Sequence, residues 1–405
     1  MHAISYEVPA GWIKYDKAEI FNELTTAKAA VIALQTMPFQ RRWVEELQQM
    51  QLKMEVAGTS QIEGADFAAN ELDVALKAET AEELLTRSQK QANAAVKTYK
   101  WISDLPDDVP VSAELICEIH RRIVADCDAD HCPPGRIRWA DQNVTFGMPR
   151  HRGAIGGKEC ETAFQQLALE VQTTFKGHDP LIQALALHYH FAAMHPFLDG
   201  NGRTARVLEA LMLQRAGLKN SLFIAMSNYY YEEKRSYLAT LAAVRASAHD
   251  LTSFLKFGLR GIAQQSKRLT LLIKKEVSKQ LFRNLMHDLF VRLESTRKRV
   301  IVKRQLQLLE KLLDTDGAVE FTKLADSVRE HYAKRKVPYQ AIARDVNRLW
   351  VLGAVKIEKV EVDPNKPPVF FIEVILDWPS TITDTEFFAK LENLPKSKTY
   401  AFLSI

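Results

Sequence analysis

The sequence predicts a mainly α-helical fold, in which a bundle of helices carries one β-hairpin and is followed by a smaller unit of mixed helix and strand. Up to about residue 293, most segments repeat their apolar residues at helical spacing. The stretch 134–157 lacks that period and is punctuated by Gly and Pro, and alternating apolar stretches begin only after residue 350. Because 405 residues exceed one ordinary core, two or three domains are expected.

The predicted boundaries follow these changes of pattern. We expect an N-terminal helical region over residues 1–105, a central core over 106–295, a mixed unit over 296–380 and a C-terminal tail over 381–405. The helical period predicts helices over 17–34, 40–56, 67–78, 81–102, 113–125, 158–175, 181–194, 203–215, 232–246 and 251–293.

The stretch 195–206, HPFLDGNGRTAR, lies between two of these helices and concentrates groups that suit chemistry. Pro196 disfavours the α conformation for His195, so the preceding helix should end at that histidine. A neutral imidazole there can accept a proton from a hydroxyl near pH 7. For an isolated histidine, a purely structural place at a helix end is the alternative.

The glycine-rich triplet 200–202 predicts a turn without bulky side chains at the start of the next helix. Backbone N–H groups at such a start attract an anion. Arg203 and Arg206 share a face at the same end, and two guanidinium groups there suit a triphosphate. Asp199 precedes the turn, where its carboxylate can hold Mg²⁺ against the phosphates. A charged surface turn explains each residue singly but not their combination.

The same stretch resembles the Fic-family signature, His-x-Phe-x-(Asp/Glu)-Gly-Asn-Gly-Arg-x-x-Arg, at every fixed position. The resemblance implies a Fic-type helical bundle with a β-hairpin flap, in which residues 106–295 form the catalytic core of a nucleotidyltransferase. The implied reaction transfers AMP from ATP, with Mg²⁺, to a Ser, Thr or Tyr hydroxyl of a target protein, the chain itself included. Gly200 agrees with this activity, since the Doc-type toxins that phosphorylate instead depart from the pattern at that point. The resemblance also favours a homodimer.

The family's residue roles carry over position by position. By resemblance, His195 deprotonates the target hydroxyl, Phe197 anchors the loop in the core, Asp199 binds Mg²⁺, Gly200, Asn201 and Gly202 cradle the α- and β-phosphates, and Arg203 and Arg206 bind the outer phosphates.

A second segment, 59–64 (TSQIEG), resembles the family's inhibitory motif, (Ser/Thr)-x-x-x-Glu-(Gly/Asn). Thr59 and Glu63 are four residues apart and share a helical face, and Gly64 is typical of the position just past a helix end. The resemblance implies that Glu63 pairs with Arg206, competes with the γ-phosphate and keeps the resting enzyme slow. In some members the same glutamate activates water for removal of AMP. Taken alone, the segment could equally be a solvated helix end.

The stretch 134–157 predicts a short hairpin. By resemblance it is the flap that holds the target by strand addition, with the pairing edge around 143–147 or 154–156. Tyr237 and Leu241, with Arg245, resemble the adenine side of the nucleotide pocket. An aromatic residue and a leucine at this spacing more often pack in a core.

Composition is ordinary for an intracellular protein, with 47% hydrophobic residues and a mild formal charge of +4. The first residues show no leader pattern, and no apolar run of about 18 residues occurs. We therefore expect a cytoplasmic protein that does not enter a membrane.

Four cysteines, Cys117, Cys127, Cys132 and Cys160, predict no disulfide framework. Cys127, His131 and Cys132 are close in sequence, but without a fourth ligand or C-x2-C spacing we expect reduced thiols.

Beyond residue 294 a basic patch, Arg297-Lys298-Arg299 with Lys303-Arg304, precedes a helix. Two further helices follow over 322–333 and 338–349, and then a two-stranded ribbon with a turn at 363–366. This order resembles a winged helix-turn-helix. In a DNA complex, the groove would be faced by Tyr339, Gln340, Arg344 and Arg348, and the DNA backbone by Lys356, Lys359 and Lys366. The acidic residues Asp345, Glu358, Glu361 and Asp363 argue against DNA, and winged helices also serve as protein contacts.

Two classes of function therefore compete: a protein adenylyltransferase restrained by Glu63, and a DNA-binding regulator whose Fic-like core is a ligand or interaction module. The intact set of signature residues favours the enzyme. A third hypothesis makes His188, His190 and His195 the ligands of a metal hydrolase. Residues two apart on a helix lie on different faces, which argues against a common ion for His188 and His190.

Overall fold

A computed structural model describes residues 5–37, 41–65, 67, 71–140, 142–147, 150–218, 223–291, 296–315, 317–334, 337–361 and 367–394. The chain divides into two compact units, residues 1–271 and 272–405. The predicted mainly α-helical fold class is confirmed. Within the described ranges, no helix has both the length and the apolarity needed to cross a membrane.

Helices make up most of the chain before residue 292. They are α1 (Lys17–Gln35), α2 (Arg41–Ile62), α3 (Glu71–Lys77), α4 (Arg87–Ser103), α5 (Ala113–Val124), α6 (Lys158–Gln172), α7 (Pro180–Met194), α8 (Asn201–Arg215), α9 (Met226–Glu232), α10 (Lys234–Ala246) and α11 (Thr252–Val291). The strands β1 (Thr145–Phe146) and β2 (His151–Arg152) pair antiparallel, with Thr145 opposite Arg152.

Helices α7 and α8 lie at the centre of the first unit. Nearly every side chain of α7 is buried, in keeping with a helix that is apolar all round. Asp179 caps its first turn, with a side-chain oxygen 3.0 Å from the Leu181 nitrogen. The helix ends at Met194 because His195 adopts a left-handed conformation with φ 54°. This is the end that Pro196 predicts.

Helix α2 continues six residues beyond its predicted end at Val56 and stops at Ile62. The sequence AGTSQ looks like a helix end, but Gly58 has a packing role. A Cβ atom on Gly58 would lie 2.5 Å from the Ser227 carbonyl carbon of α9. Gly58 therefore permits close approach of two helices and does not terminate one.

The prediction of one helix over 232–246 missed a separate helix that precedes it. Helix α9 comes first, over the aromatic run Met226–Glu232, and Glu233 (φ −106°, ψ 33°) separates it from α10. The predicted hairpin is present, with β1 inside the expected edge 143–147. The other expected edge, 154–156, is not a strand, because the Ala154 N–H donates to the Met194 carbonyl oxygen at 2.9 Å.

The second unit combines helices with a three-stranded antiparallel sheet. Its elements are α12 (Thr296–Leu313), β3 (Val319–Glu320), α13 (Phe321–Val328), α14 (Pro338–Leu352), β4 (Val355–Val360), β5 (Val369–Val374), α15 (Trp378–Thr381) and α16 (Asp384–Glu392). The strand order is β3-β5-β4, with Val319 opposite Ile372 and Val355 opposite Val374. Trp378 and Phe387 are buried in the core of this unit.

Most of the predicted DNA-facing residues of this unit have acidic neighbours. The buried carboxylate of Asp345 lies 3.7 Å from both Arg344 and Arg348. Lys356 pairs with Glu373 at 2.9 Å and Lys359 with Glu361 at 3.2 Å. Tyr339 is exposed. The side chains of Arg297, Lys298 and Arg299, and residues 362–366 with Asp363 and Lys366, lie outside the described residues.

Candidate active site

The loop between α7 and α8 carries His195 at one end and Gly200 at the other, and both adopt left-handed conformations. The Nδ1 atom of His195 lies 3.1 Å from the Ala192 carbonyl oxygen. Because a carbonyl oxygen only accepts, Nδ1 carries the proton and Nε2 is left as a free acceptor. Burial lowers the pKa of His195 to about 4. The imidazole is therefore neutral near pH 7, as a general base requires.

The hairpin covers this histidine. The Phe146 ring stacks on the His195 imidazole with ring centroids 3.9 Å apart. The Arg245 guanidinium lies 4.7 Å from the centre of the same Phe146 ring. A residue near the turn of the flap thus shields the predicted base from water.

The signature loop is held from inside. The Asn201 side-chain oxygen accepts from the Phe197 N–H at 2.9 Å, and its amide nitrogen donates to the Phe197 carbonyl oxygen at 2.8 Å. Phe197 is fully buried and stacks on His120, with ring centroids 3.6 Å apart. The Asn201 side chain therefore faces the loop, and its backbone N–H is the group available to a phosphate.

The N-terminus of α8 opens toward the pocket. Its first intrahelical hydrogen bond runs from the Thr204 N–H to the Gly200 carbonyl oxygen, at 2.9 Å. The N–H groups of residues 201–203 precede that bond and have no carbonyl within the helix to donate to. Together with the helix dipole they form an anion site.

Asp199 lies between His131 and Arg87 at the edge of this loop. Its Oδ2 atom is 3.0 Å from His131 Nε2 and 3.3 Å from Arg87. Although burial opposes ionisation, the hydrogen bond from His131 and the charge of Arg203 hold the pKa of Asp199 below its usual value. An ionised, part-exposed carboxylate fits one ligand position of Mg²⁺.

Arg203 has a carboxylate partner that the sequence did not reveal. Asp128 lies 2.7 Å from the Arg203 guanidinium, and both side chains are almost fully buried. Arg87 lies 2.5 Å from the same carboxylate. Although burial raises it, the two arginines lower the pKa of Asp128 to about 2. No spacing rule links 128 to 203, so only packing could identify this pair.

The described residues offer one group that could hold a metal: Asp128, His131 and Asp199. Its Asp128 charge is already balanced by two arginines. Cys127 and Cys132 do not belong to this group, and all four cysteines are free thiols, as expected.

The segment 59–64 meets the second signature arginine, Arg206. Oε1 of Glu63 lies 2.5 Å from an Arg206 guanidinium nitrogen, and Thr59 Oγ1 accepts from Arg206 Nε at 2.7 Å. The positive charge of Arg206 outweighs desolvation and holds the pKa of Glu63 below its usual value. A Cβ atom on Gly202 would lie 2.4 Å from Glu63 Oε1, so the glycine makes room for this carboxylate.

Gly64 fixes the end of α2 as predicted for a residue just past a helix. Its φ is 93°, and its N–H donates to the Gln61 carbonyl oxygen at 3.1 Å. The Ala65 N–H donates to the Ser60 carbonyl oxygen at 3.0 Å, which completes a Schellman motif. The turn presents Glu63 to the pocket from a fixed position.

These groups line one cavity of about 260 Å³. Most of the predicted site residues line it: Glu63, His195, Asp199, Gly200, Asn201, Gly202, Arg206, Tyr237 and Leu241. Arg203 and Thr59 do not line it, since Arg203 turns toward Asp128 and Thr59 lies behind Arg206.

The three histidines of the metal-hydrolase hypothesis do not converge. His188 bonds Glu209 and Tyr237, and His190 bonds the Trp12 carbonyl oxygen. Only His195 lines the pocket. That hypothesis is therefore wrong.

Arg138 is a further residue that sequence reasoning missed. It is 1% exposed and donates to three backbone carbonyl oxygens: His195 at 3.0 Å, Gln142 at 2.6 Å and Ala154 at 2.6 Å. These bonds fasten the hairpin to the catalytic loop. Nothing in the sequence distinguishes Arg138 from the other arginines of the stretch 134–157, so it gives no signal of such a role.

Residues 110–213 match the Fic/DOC family. These residues form a Fic domain. Protein adenylyltransferase fic-1 of Caenorhabditis briggsae and that of Caenorhabditis elegans are each 31% identical to this chain over 152 residues, which are 36% of this chain and 26% of each relative. The protein adenylyltransferase Fic of Nematostella vectensis is 29% identical over 150 residues. The chain thus spans only about a quarter of the length of the first two relatives.

Solved structures share the Fic fold. A Fic family protein from Desulfovibrio desulfuricans G20 aligns with a TM-score of 0.54 at 16% identity, covering 91% of this chain and 99% of that one. Fic-1 (residues 134–508) from C. elegans aligns with a TM-score of 0.52 at 19% identity, covering 64% and 74%. At these identities the likeness concerns the fold.

Proposed function

We propose that this Fic-domain protein is a protein adenylyltransferase, which transfers AMP from ATP to a Ser, Thr or Tyr hydroxyl of a protein. The observation that carries the proposal is one cavity lined by a neutral His195, the N-terminus of α8 and Arg206. A base, an anion site and a guanidinium group in one pocket match the needs of phosphoryl-group chemistry.

In this mechanism the free Nε2 of His195 accepts the proton of the target hydroxyl. The hydroxyl oxygen forms a bond to the α-phosphorus of ATP, and the bond to the bridging oxygen breaks, so that pyrophosphate leaves. The backbone N–H groups of residues 201–203 bind the inner phosphates, and Arg206 binds the outer one. Asp199 would hold Mg²⁺, which supplies charge neutralisation on the phosphates when bound.

Arg203 has a different part in this proposal from that of Arg206. Since Asp128 already pairs with Arg203 at 2.7 Å, its guanidinium is held in the wall of the loop. The positive charge of Arg203 still attracts the phosphates without direct contact. The ion pair with Asp128 holds the Arg203 guanidinium in one orientation.

Glu63 is proposed as an inhibitory residue. Its carboxylate occupies the Arg206 guanidinium at 2.5 Å, which is the group assigned to the outer phosphate. A nucleotide must displace this carboxylate to use Arg206, so the resting enzyme binds ATP poorly. Thr59 reinforces the arrangement through its bond to Arg206 Nε.

Labelling with α-³²P-ATP and Mg²⁺ tests both parts. We expect stronger label on the protein or a lysate partner with Glu63→Gly than with wild type, and none with Glu63→Gly/His195→Ala. Glu233→Gly is the matched control, since this exposed glutamate also lies at a helix junction but does not line the pocket. If Glu63→Gly transfers as little label as His195→Ala from each of the four labelled ribonucleoside triphosphates, the proposed activity is wrong.

Removal of AMP by the same pocket is tested with the labelled product. Unlabelled wild type is added to protein labelled by Glu63→Gly, and release of AMP that depends on Glu63 in the added enzyme supports a second activity. Retention of all label assigns Glu63 to inhibition alone.

We also propose that the second unit is a winged helix, from its order of three helices and a three-stranded antiparallel sheet. The acidic neighbours of Arg344, Arg348, Lys356 and Lys359 favour a protein-contact module over a DNA reader. An electrophoretic mobility shift assay of genomic fragments with the full chain at low salt distinguishes a protein-contact module from a DNA reader. Retardation of the fragments supports the alternative of a DNA-binding regulator.

The homodimer stays a prediction, which light scattering would test.

A further inference from the structure

A buried chain of hydrogen bonds lies behind the Tyr237 wall of the pocket, and the proposed mechanism does not use it. We propose that His188 and Glu209 are positioning residues that fix Tyr237 in the wall of the pocket, beside Arg206, for the nucleotide. The inference rests on the proposed function, since it assumes that ATP binds in this pocket.

The chain ties together four helices. His188 on α7 hydrogen-bonds the Glu209 carboxylate on α8 through Nδ1, and its Nε2 lies 2.8 Å from the Tyr237 hydroxyl on α10. The Tyr230 hydroxyl on α9 lies 2.8 and 2.9 Å from the two Glu209 oxygens. His188, Glu209, Tyr230 and Tyr237 are all buried. A buried carboxylate is costly unless its oxygens are bonded, and this one has donors on both.

The donors and acceptors fix one direction along this chain. A carboxylate accepts, so Nδ1 of His188 carries the proton and Nε2 is an acceptor. The Tyr237 hydroxyl must therefore donate to His188. Burial raises the pKa of Tyr237 to about 12, so this proton stays in place near pH 7.

The consequence falls on Arg206. With its proton committed to His188, the Tyr237 oxygen keeps a lone pair for the pocket, which Arg206 also lines. The positive charge of Arg206 attracts this oxygen and opposes the effect of burial on the pKa of Tyr237. When a phosphate replaces Glu63 beside Arg206, this attraction remains and keeps the guanidinium in place. Binding is stronger when the receiving group is already fixed.

Tyr230 provides a matched comparison. Both tyrosines donate a hydroxyl to the same buried network, and their rings stack with centroids 4.6 Å apart. Only Tyr237 lines the nucleotide pocket. A purely structural network would make the two hydroxyls equivalent, whereas a positioning role makes them different.

The experiment compares Tyr237→Phe with Tyr230→Phe, each in Glu63→Gly, by the KM for ATP and the kcat of labelling. We expect Tyr237→Phe to raise KM about five- to tenfold with little change in kcat, as for the loss of one buried polar group that fixes the binding pocket. Tyr230→Phe should leave KM within about twofold, although both variants lower the unfolding temperature. Equal KM values for the two variants would overturn the inference.

His188→Phe gives a second readout. It keeps a ring against Tyr230 and Phe254 but cuts the link to Tyr237, so it should raise KM as Tyr237→Phe does. The double variant should show no further increase, because both changes break one chain. An additive increase would contradict the chain. If His188→Phe does not fold, the two tyrosine variants decide the question.

The test separates this inference from the proposed function. If Glu63→Gly itself transfers no label, the proposed function fails. If it transfers label and Tyr237→Phe has an unchanged KM, only the positioning role fails. The affinity for ATP of Glu63→Gly/His195→Ala, measured by calorimetry with and without Tyr237→Phe, reports binding without catalysis.

Discussion

The Glu63 carboxylate and the Arg206 guanidinium, 143 residues apart in sequence, meet at 2.5 Å in the cavity that His195 also lines. Thr59, one helical turn before Glu63, bonds the same guanidinium at 2.7 Å. With the Thr59 carbonyl oxygen at 3.4 Å, one helix end thus supplies three acceptors to one arginine. The arrangement makes the resting state of the pocket depend on helix α2.

Replacing Thr59 by Val should weaken this restraint. A hydrogen bond to a charged group contributes about 1.5–3 kcal/mol, so losing Thr59 Oγ1 favours release of the Glu63 helix end. We expect the initial rate of α-³²P-ATP labelling to rise several-fold over wild type but to stay below that of Glu63→Gly. Thr98→Val is the control, because that buried threonine bonds only the Ala94 carbonyl oxygen of its own helix. A rate equal to wild type would contradict the role of Thr59.

The pH dependence of labelling should reflect the low pKa of His195, about 4, which burial causes. A histidine of ordinary pKa, about 6.5, would be only about one-tenth neutral at pH 5.5. Since the lowered pKa keeps the base neutral there, kcat of Glu63→Gly at saturating ATP should change less than about twofold between pH 7.5 and 5.5. It should then fall as the pH approaches 4. A tenfold loss by pH 5.5, with an unchanged circular dichroism spectrum, would contradict this.

Replacing Arg138 by Met should release the hairpin from the catalytic loop. The substitution leaves the carbonyl oxygens of His195, Gln142 and Ala154 without their donor. We expect a loss of at least about 2 kcal/mol of stability and faster amide hydrogen exchange in the segment around β1 and β2. Arg136→Met is a suitable control, since Arg136 lies over the exposed Trp139 ring. Unchanged exchange in Arg138→Met would show that other contacts hold the flap.

Asp128→Asn should destabilise the protein far more than Asp73→Asn. Asp128 is fully buried between Arg203 and Arg87, and removing one charge of a buried pair costs about 3–5 kcal/mol. Asp73 pairs with Lys53 at the surface, where water screens the charges, and its loss should have no measurable effect. Thermal unfolding of both variants checks the difference. Equal unfolding temperatures would mean that Arg203 finds another partner, such as Asp199.

Much of the fold follows from local sequence. Apolar spacing predicted α7 and its end at His195, because a proline constrains the residue before it. The hairpin and the helix-end glycine at position 64 were predicted in the same way. Helix α2 was predicted too short, because Gly58 serves a contact with α9 that lies 169 positions further on, at Ser227.

The candidate site likewise has one part that the sequence predicted and one part that only the tertiary structure shows. The sequence pointed to the loop 195–206 by its residue chemistry, and to the segment 59–64 and to Tyr237 and Leu241 by their resemblance to Fic motifs. The tertiary structure decided the partners. It turned Arg203 toward Asp128, turned the Asn201 amide into the loop and joined Tyr237 to His188 and Glu209. The reason is physical: helical period and backbone restrictions act between neighbours, whereas a buried ion pair or hydrogen bond depends on which distant side chains the packing brings within 3 Å.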